Sequence, residues 1–545
     1  MLSEAAGPST PALIEQTIDR NFRRTVATQA EREALVVRHQ DIRWTYAELD
    51  ARIDELARAL VARGFVKGDR IGIWAPNCAE WVLVQYATAR IGVILVNINP
   101  AYRTHEVQYA LHQSGCRGLI SASAFKTSDY TAMVEEVRAD LPDLEQVVFI
   151  GTDDWTELLA AADGVTGEQV AEIEAGLDPN DAINIQYTSG TTGYPKGATL
   201  SHRNILNNGF MVGEGCRYTP EDRVCVPVPF YHCFGMVMGN LGSTSHGSTV
   251  VVPADAFDPV ATLEAVAAER CTSLYGVPTM FIAMLALNDF ESYDLGALRT
   301  GIMAGSPCPV EVMKQCIERM NMDEVTICYG MTETSPVSTQ TATDDPIDKR
   351  VGSVGRVHPH VEIKIVDPET GATVERGQPG EFCTRGYSVM IGYWNDAERT
   401  AEAIDADGWM HTGDLAEMDA EGYVNIVGRS KDMIIRGGEN VYPREIEEFL
   451  YAHPRIRDVQ VVGVPDLKYG EEIMAWVQTE DGEELSLGEV KEFCQGRIAH
   501  YKVPRYVATT DEFPMTVTGK IQKFKLRDEA IERFDLQDAA DVETA

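Results

Sequence analysis

A loop rich in glycine and hydroxyl side chains directly follows a short apolar segment, and this pairing constrains the fold more strongly than any other feature. The apolar segment runs from Ile183 to Tyr187, and the loop from Tyr187 to Gly197 holds three glycines, four Ser or Thr residues and one lysine. Glycines let backbone N–H groups approach a ligand closely, and hydroxyl groups add donors, so such a loop is suited to wrapping phosphate oxygens. The sequence therefore predicts a strand that ends in a phosphate-binding loop.

The loop has two other interpretations: an ordinary surface loop and a phosphate loop of the Walker type. A Ser/Thr/Gly-rich surface loop has the same composition, but the strand before the loop and Lys196 near its end favour phosphate binding. A Walker loop requires Gly-Lys followed by Ser or Thr, whereas Lys196 stands between Pro195 and Gly197. The Walker motif therefore does not match.

Strand and helix patterns alternate along much of the chain. A Thr-Tyr-Ala-Glu capping pattern predicts a helix over Thr45–Arg63, and a buried strand is predicted over Arg70–Trp74. A helix over Cys78–Arg90 and a strand over Gly92–Asn97 follow. The alternation returns at 182–187, 203–209, 223–227 and 249–253. Strands that alternate with helices predict an α/β fold.

The length of the chain and a change of pattern predict two domains. At 545 residues the chain is too long for a single ordinary core. Short alternating runs at 361–366 and 380–384 predict hairpins, and Tyr442–Glu445 predicts a helix start with a proline near its first position. We predict a large domain over 1–428, a hinge over 429–432 and a small α+β domain over 433–545.

Charge and cysteine content exclude several classes of protein. Lys and Arg number 47 against 84 Asp and Glu, and a net charge of -37 argues against nucleic-acid binding, which requires a basic face. The 11 cysteines show no Cys-x-x-Cys pair and no paired metal-ligand spacing, so neither disulfides nor a zinc site are expected. The first residues carry no basic start followed by an apolar run, so no cleaved signal peptide is expected. A reducing cytoplasm fits this pattern best.

The segment Val224–Ala254 contains no Asp, Glu, Lys or Arg and is as long as a membrane span. Prolines and glycines interrupt it repeatedly. We predict buried strands and turns around an apolar cavity, because a spanning helix must satisfy its backbone groups internally. No integral membrane segment is expected.

Five further segments make the resemblance to a known superfamily specific. After the 187–197 loop come Pro229–Gly235, Tyr329–Thr334, His411–Leu415, Gly428–Asp432 and Pro514–Lys520. In this order the segments resemble the signatures of the adenylate-forming superfamily. Within that superfamily they are similar to the acyl-CoA synthetase branch, and in particular to medium-chain fatty-acyl-CoA synthetases. The resemblance covers nearly the whole chain. It implies a large N-terminal domain of α/β sheets with a small β-barrel-like subdomain, and a small mobile C-terminal lid domain.

The resemblance implies catalytic roles for three residues. Lys520 would stabilise negative charge at the α-phosphorus of ATP. Lys431 would be the pivot about which the lid rotates between two half-reactions. His232 would stand between the nucleotide and the acyl pocket, although a core histidine satisfied by the backbone is an open alternative.

The resemblance also implies an ATP site. Glu333 would be the magnesium ligand, assisted by Thr188, since a hard dication prefers oxygen donors. Tyr329 would stack on adenine, and Asp414 and Arg429 would bind the ribose hydroxyls. The implied ATP- and AMP-binding residues are Thr188, Ser189, Gly190, Thr191, Thr192, Gly193, Lys196, Gly305, Ser306, Pro307, Tyr329, Gly330, Met331, Thr332, Asp414 and Arg429.

CoA and the acid have their own implied residues. Arg436, Gly437 and Gly438 would contact CoA, the glycines leaving room for its pantetheine arm. His232, Phe234 and Gly235 would contact the acyl group. The expected partners are a small carboxylic acid, ATP with Mg²⁺, and CoA, without nucleic acid; a homodimer is left open.

The predicted function is an ATP-dependent fatty acid:CoA ligase that forms an acyl-adenylate and then an acyl-CoA thioester, releasing AMP and pyrophosphate. An aryl-CoA ligase, a luciferase-like oxidase and a stand-alone adenylation enzyme on the same fold are alternatives. A further alternative is a non-catalytic nucleotide-binding scaffold protein. The presence of Lys520, Glu333 and Asp414 argues against this alternative.

Overall fold

A computed structural model describes residues 1–188, 195–306, 308–429, 432–436, 439–466, 468–480, 482–495, 497–498, 500–516 and 519–540, with the backbone alone for residues 429, 439, 440 and 540.

The strands, in chain order, are β1 (Glu4–Ala6), β2 (Glu33–Val37), β3 (Ile42–Thr45), β4 (Arg70–Trp74), β5 (Ile94–Asn97), β6 (Gly118–Ser121), β7 (Ala124–Phe125), β8 (Ser128–Asp129), β9 (Gln146–Phe149), β10 (Ala182–Thr188), β11 (Lys196–Ser201), β12 (Arg223–Cys225), β13 (Thr249–Val252), β14 (Ser273–Gly276), β15 (Thr300–Ala304), β16 (Glu324–Gly330), β17 (Val337–Gln340), β18 (Arg356–Val357), β19 (Val361–Val366), β20 (Gly380–Gly386), β21 (Gly392–Tyr393), β22 (Met410–Met418), β23 (Val424–Arg429), β24 (Ile434–Arg436), β25 (Glu439–Val441), β26 (Ile456–Asp466), β27 (Gly470–Thr479) and β28 (Tyr506–Thr509).

The α-helices are α1 (Ile18–Gln29), α2 (Tyr46–Ala62), α3 (Ala79–Ile91), α4 (Thr104–Ser114), α5 (Tyr130–Val137), α6 (Asp153–Ala160), α7 (Gly167–Ala175), α8 (His202–Gly215), α9 (Gly242–Ser245), α10 (Pro259–Ala268), α11 (Pro278–Leu285), α12 (Val310–Met320), α13 (Ile347–Gly352), α14 (Ala397–Ala403), α15 (Pro443–Tyr451), α16 (Leu487–Cys494), α17 (Lys523–Arg533) and α18 (Gln537–Ala540).

Two mixed sheets form the centre of the large N-terminal part. Seven strands follow the order β21-β11-β10-β5-β4-β6-β9, and nine follow the order β18-β17-β16-β15-β14-β12-β13-β2-β3. Neighbours are parallel from β10 to β9 and from β16 to β2, with antiparallel strands at the remaining edges. Parallel strands joined through helices confirm the predicted α/β class.

The local predictions hold in this part of the chain. Thr45 and Glu48 form a reciprocal capping box at the start of α2, as the Thr-Tyr-Ala-Glu pattern indicated. The strand predicted from Gly92 begins later, at Ile94. Gly92 adopts a left-handed φ of 71° and donates its N–H to Thr88, so it ends helix α3 instead of starting the strand.

The prediction of strands and turns for the uncharged segment 224–254 is wrong in its centre. Strands β12 and β13 lie near its ends, but a π-helix, Phe234–Leu241, continues into α9 between them. All eight residues of this π-helix are buried, so its apolar residues carry no one-sided periodicity and resemble a buried strand in the sequence. Over the described part of the chain, no helix combines the length and the apolar character that a membrane crossing requires.

A third sheet is antiparallel and follows the order β1-β19-β20-β22-β23, in the region where hairpins and a β-barrel-like subdomain were expected. Asp414 lies on its strand β22.

The largest apolar core joins helices α2, α3 and α8 to both mixed sheets. The ends of β10 and β16 and the strand β22 meet beside this core.

The residues from 433 onward, which we term the lid segment, build a separate sheet. Its order is β25-β24-β27-β26, and β28 pairs with β27. Alternate residues of β27 face opposite sides of this sheet. Ile473 and Val477 belong to one apolar cluster, and Met474 and Trp476 belong to another. Helix α15 begins at Pro443, as predicted. The proposed domain boundaries at 428 and 433 stay predictions.

Candidate active site

Glu333 lies buried where the two mixed sheets meet. It follows strand β16 and is 4% exposed. Thr188, at the end of β10, donates its hydroxyl to Glu333 Oε1 at 3.2 Å, and the Tyr393 hydroxyl donates to the same oxygen at 2.9 Å. Burial and the Glu333 carboxylate raise the pKa of Tyr393 well above its usual range, so the phenol keeps the proton that it donates. The two residues predicted to bind a metal ion are therefore in contact.

A tight turn between β16 and β17 positions Glu333. A Cβ atom at Gly330 would lie 1.7 Å from the Pro336 carbonyl oxygen, so only glycine fits there. Met331 donates its N–H to the same carbonyl at 3.0 Å, and the Thr334 hydroxyl donates to it at 2.6 Å. The turn therefore places the buried residues Thr332 and Glu333 together at the end of β16.

Strands β10 and β11 form a hairpin that places Lys196 opposite Thr188 as its paired residue. The Lys196 ammonium lies 4.9 Å from the ring centre of Tyr393, the same residue that contacts Glu333. Both ends of the predicted phosphate loop are thus beside Glu333. Tyr393 itself was not predicted, because it lies on β21, about two hundred residues further along the chain, outside every recognised motif.

The residues predicted for adenine and ribose also come together. The Tyr329 hydroxyl donates to Asp414 Oδ2 at 2.8 Å, and the Tyr329 ring meets Phe382 edge to face at 5.0 Å between ring centres. Asp414 is 8% exposed and pairs with Arg429 across β22 and β23. Gly305, with a φ of 94°, and Ser306 follow strand β15, and the Ser306 carbonyl accepts the Cys308 thiol at 3.5 Å.

His232 lies within electrostatic range of Lys520, although the two are 288 positions apart. Phe234 donates its N–H to His232 Nδ1 at 3.1 Å, which leaves the ring proton on Nε2. Burial and the positive charge of Lys520 lower the pKa of His232 to about 3, so the imidazole is neutral at physiological pH. The charge of Lys520 in the lid segment therefore acts on the histidine of the large part.

The residue before Lys520 fixes the position of this lysine. Gly519 has a φ of 77°, and a Cβ atom there would lie 2.7 Å from Val277 Cγ2 and 3.1 Å from Thr279 Oγ1. The Lys520 backbone closes a turn, because Thr516 donates its N–H to the Lys520 carbonyl at 2.7 Å. This turn packs against the start of α11 in the large part.

The predicted acyl-binding residues begin the buried π-helix. The Phe234 ring stacks on Tyr275 at 5.5 Å between centres. A Cβ atom at Gly235 would lie 2.4 Å from the Pro229 carbonyl oxygen, so the helix starts close against the preceding segment. Phe234 and Gly235 are thus packed directly beside His232, in apolar surroundings.

A buried chain of polar groups behind this segment was not predicted. The Cys233 thiol donates to Gln186 at 3.1 Å, Gln186 donates to Asn184 at 2.8 Å, and Asn184 donates to Asn97 at 2.9 Å. Asn97 in turn donates to the Tyr231 carbonyl at 2.9 Å. The chain ties the His232 segment to the ends of β5 and β10. Single amides within strands give no signal of such a network in a sequence.

Arg436, predicted to contact CoA, lies within the lid sheet. Its guanidinium donates two hydrogen bonds to Glu472, at 2.8 and 2.7 Å, and stacks over Tyr469 at 4.5 Å. Glu472 is fully buried. A contact between Arg436 and CoA would therefore require an exchange of partners.

Part of the predicted site lies outside the described residues: Ser189, Gly190, Thr191, Thr192, Gly193, Pro307, Lys431, Gly437, Gly438 and the side chain of Arg429.

The fold is that of an AMP-binding enzyme, and the chain belongs to that family. The family model described as "AMP-binding enzyme" matches residues 22–394, and the model "AMP-binding enzyme C-terminal domain" matches residues 445–520.

Within the family, the chain belongs to the acyl-CoA synthetase branch. It is 50% identical to YngI of Bacillus subtilis strain 168, provisionally named an acyl-CoA synthetase, over 96% of this chain and 99% of YngI. It is 45% identical to the mitochondrial medium-chain acyl-CoA ligase ACSF2 of Bos taurus, over 96% of this chain and 89% of that protein. The crystal structure of ATP-bound MatB from Rhodopseudomonas palustris matches with a TM-score of 0.85 and 30% identity, over 95% of this chain and 100% of MatB.

Proposed function

We propose that the protein is an ATP-dependent fatty acid:CoA ligase. In the first half-reaction, a carboxylate oxygen of the acid attacks the α-phosphorus of ATP, which forms an acyl-adenylate and releases pyrophosphate. In the second, the thiol of CoA attacks the acyl carbonyl, which forms a thioester and releases AMP. The Thr188–Glu333 contact, together with the packing of the Gly519 turn against Val277 of the large part, is the observation that supports this function most directly.

Lys520 stabilises the first half-reaction electrostatically. Negative charge accumulates on the oxygens around the α-phosphorus in the transition state, and an ammonium group in a partly desolvated site lowers its energy. Lys196, which pairs with Thr188, and the hydroxyl of Thr332, which follows β16, would bind phosphate oxygens. The neutral His232 can donate a hydrogen bond from Nε2–H to the acid carboxylate and orient it without repelling Lys520.

Magnesium fits the residues around Glu333. The buried carboxylate of Glu333 and the hydroxyl of Thr188 offer oxygen donors alone, which is the ligand chemistry that Mg²⁺ prefers. When bound, the ion neutralises phosphate charge. The Tyr393 hydroxyl donates to Glu333 Oε1 and so restricts the orientation of the carboxylate.

The ribose and adenine are assigned to Asp414 and Tyr329. A carboxylate can accept hydrogen bonds from both ribose hydroxyls, and the tyrosine ring offers a flat face for the base. The Tyr329–Asp414 hydrogen bond couples the two subsites, because each side chain limits the rotamers of the other.

We propose that rotation of the lid segment about Lys431 serves the second half-reaction. In the described arrangement the Gly519–Lys520 turn packs against Val277 of the large part, and Arg436 is bound to Glu472 within the lid sheet. Rotation would withdraw Lys520 and bring the 435–440 region, with Gly437 and Gly438, beside the adenylate. The thiol could then approach the carbonyl through the space that Lys520 left.

A two-part assay tests the function. The purified chain is given Mg²⁺, ATP and acids that are straight-chain, branched or aromatic, and pyrophosphate and thioester are measured with and without CoA. We expect acid-dependent pyrophosphate release and a CoA thioester. Adenylate that accumulates but never forms a thioester would favour a stand-alone adenylation enzyme, and a complete lack of pyrophosphate would favour a scaffold.

We propose straight-chain acids of medium length as the substrate class. The buried, uncharged π-helix beside His232 favours an apolar chain, and the ACSF2 relative carries the name of a medium-chain ligase. A length series measured as kcat/KM should show a maximum at intermediate length. A preference for aromatic acids would instead identify an aryl-CoA ligase.

We propose a cytoplasmic location, on the ground that all eleven cysteines are free and buried. A homodimer is a prediction that the sedimentation behaviour of the purified protein would test.

A further inference from the structure

Three side chains with different metal-binding groups converge on the third sheet, outside the residues assigned to the substrates. His411 Nδ1 lies 2.9 Å from Glu381 Oε2 and 3.5 Å from Cys383 Sγ. One carboxylate oxygen, the sulfur and the ring nitrogen all lie within 4.8 Å of one another. Cys383 and His411 are paired residues on the neighbouring strands β20 and β22.

These distances suit one tetrahedral ion. An ion bound at about 2.0 to 2.3 Å from nitrogen, oxygen and sulfur holds its ligand atoms roughly 3 to 4 Å apart. The groups can therefore close around an ion with rotamer changes alone. Cys383 is fully buried, while the His411 and Glu381 side chains are 33% and 19% exposed, so an ion can enter from solvent on their side.

The surroundings of His411 favour coordination through Nδ1. The Asp405 carboxylate lies 3.7 Å from Nε2, the other ring nitrogen. In the structure Nδ1–H donates to the Glu381 carboxylate at 2.9 Å. Nδ1 can bind a metal ion once this proton is lost to solvent and Nε2 is protonated in its place, next to the Asp405 carboxylate that stabilises a proton there. Asp405 thus occupies the position of an orienting partner.

We propose that Glu381, Cys383 and His411 bind a thiophilic divalent cation, for which Zn²⁺ is the fitting ion. The sulfur–metal bond replaces the S–H bond of Cys383, and that proton passes to solvent. A solvent molecule completes the fourth position. A sulfur, nitrogen and oxygen ligand set selects Zn²⁺ over Mg²⁺, so this site differs in chemistry from the oxygen-only pair Glu333 and Thr188.

The spacing of the cysteines in the sequence did not indicate this site and argued against any zinc site. A search for closely spaced pairs of ligands detects only ligands that lie in the same loop. Here Cys383 and His411 are 28 positions apart, and the hydrogen-bonded register of β20 and β22 brings them together.

Cobalt spectroscopy on the full chain tests the proposal. Co²⁺ is titrated into the protein with Mg²⁺ in excess, and the thiolate-to-cobalt charge-transfer absorption is followed. We expect one Co²⁺ per chain and displacement by an equal amount of Zn²⁺. Cys383→Ser should remove the band, and His411→Gln should weaken binding by about tenfold or more. Cys494→Ser, at a buried cysteine on α16, is the matched control and should leave the band unchanged.

Absence of the band in the unaltered protein would overturn the proposal, as would a band that persists in Cys383→Ser. If Cys383→Ser does not fold, as judged by circular dichroism, His411→Gln decides alone, because its side chain is partly exposed. Unchanged affinity in that variant would equally overturn the proposal.

Discussion

Glu333 and Asp414 are buried carboxylates that each accept a hydrogen bond from a tyrosine hydroxyl. Tyr393 holds Glu333, and Tyr329 holds Asp414. A buried carboxylate without a donor would be costly, and these hydroxyl groups remove part of that cost while they fix the orientation of the oxygens. Each pair therefore serves stability and positioning together.

Replacement of Glu333 by Gln should lower the rate of adenylation by about a hundredfold or more, because the neutral amide cannot bind a metal ion as a carboxylate does. ATP–pyrophosphate exchange at increasing Mg²⁺ concentration measures the effect. Tyr393→Phe is the matched variant: it keeps the carboxylate and removes one donor, so we expect a loss of about tenfold. Equal rates for Glu333→Gln and the unaltered enzyme would refute the assignment.

The turn between β16 and β17 shows how one element depends on a single glycine. The Pro336 carbonyl accepts hydrogen bonds from Met331 and Thr334 and fills the space where a side chain of Gly330 would lie. A longer side chain must push this carbonyl away and break both hydrogen bonds. The position of Glu333 would change with them.

Gly330→Ala should therefore destabilise the protein by about 2 kcal/mol or more and reduce adenylation further than the loss of folded protein explains. Urea denaturation and ATP–pyrophosphate exchange measure the two effects. Gly352→Ala is the control, because a Cβ atom there meets nothing within 4 Å. It should change stability by less than about 0.5 kcal/mol. A Gly330→Ala variant as stable as this control would contradict the account.

Three contacts join the lid segment, which follows the predicted hinge, to the large part, which precedes it. The Gly519 turn packs on Val277, and Glu448 on α15 accepts the N–H of Val310, the first residue of α12, at 3.4 Å. Arg444 donates to the Ile426 carbonyl at 2.8 Å. These contacts place Lys520 at the site in the described arrangement.

Replacement of Lys520 by Ala should abolish adenylation and spare thioester formation from preformed acyl-adenylate, because Lys520 is assigned to the first half-reaction only. Lys525→Ala, at an exposed position of α17, should leave both rates unchanged. The two half-reactions are measured separately by pyrophosphate exchange and by transfer to CoA. Equal loss of both in Lys520→Ala would contradict the two-position mechanism.

The stability of the whole molecule should depend on His358. It is buried, its Nε2 lies 2.8 Å from Gln340 Oε1, and burial lowers its pKa to about 4. The unfolded chain takes up a proton below about pH 6.5, whereas the folded chain does not, so this residue makes stability fall as the pH drops from 6.5 towards 4. The loss between pH 6.5 and 5 is about 2 kcal/mol.

His358→Gln should be less stable than the unaltered protein at pH 7.5 but should lose less stability on acidification. The slope of its unfolding free energy against pH should correspond to about one proton fewer taken up on unfolding. Urea denaturation at several pH values between 7.5 and 5 measures the slope. The difference between the two proteins isolates His358 from other titrating groups. Identical slopes would show that His358 takes up its proton over the same pH range in the folded and unfolded chains, which would contradict the account.

Much of the local structure could be predicted from the sequence. The capping box at Thr45, the helix start at Pro443 and the strands around β4 depend on neighbours in the chain and were predicted. The uncharged segment was misassigned, since a helix buried on every side has no apolar stripe to reveal its period. The family resemblance supplied site residues that periodicity alone could not.

The sequence by itself determined the class of fold and the approximate place of each motif, because backbone preferences and apolar periods are local. Only the tertiary structure decided which side chains meet: Tyr393 with Glu333, Tyr329 with Asp414, and His411 with Cys383. Each of these pairs joins distant parts of the chain through the register and packing of sheets. Such contacts form only when the whole molecule folds, so no stretch of sequence contains them.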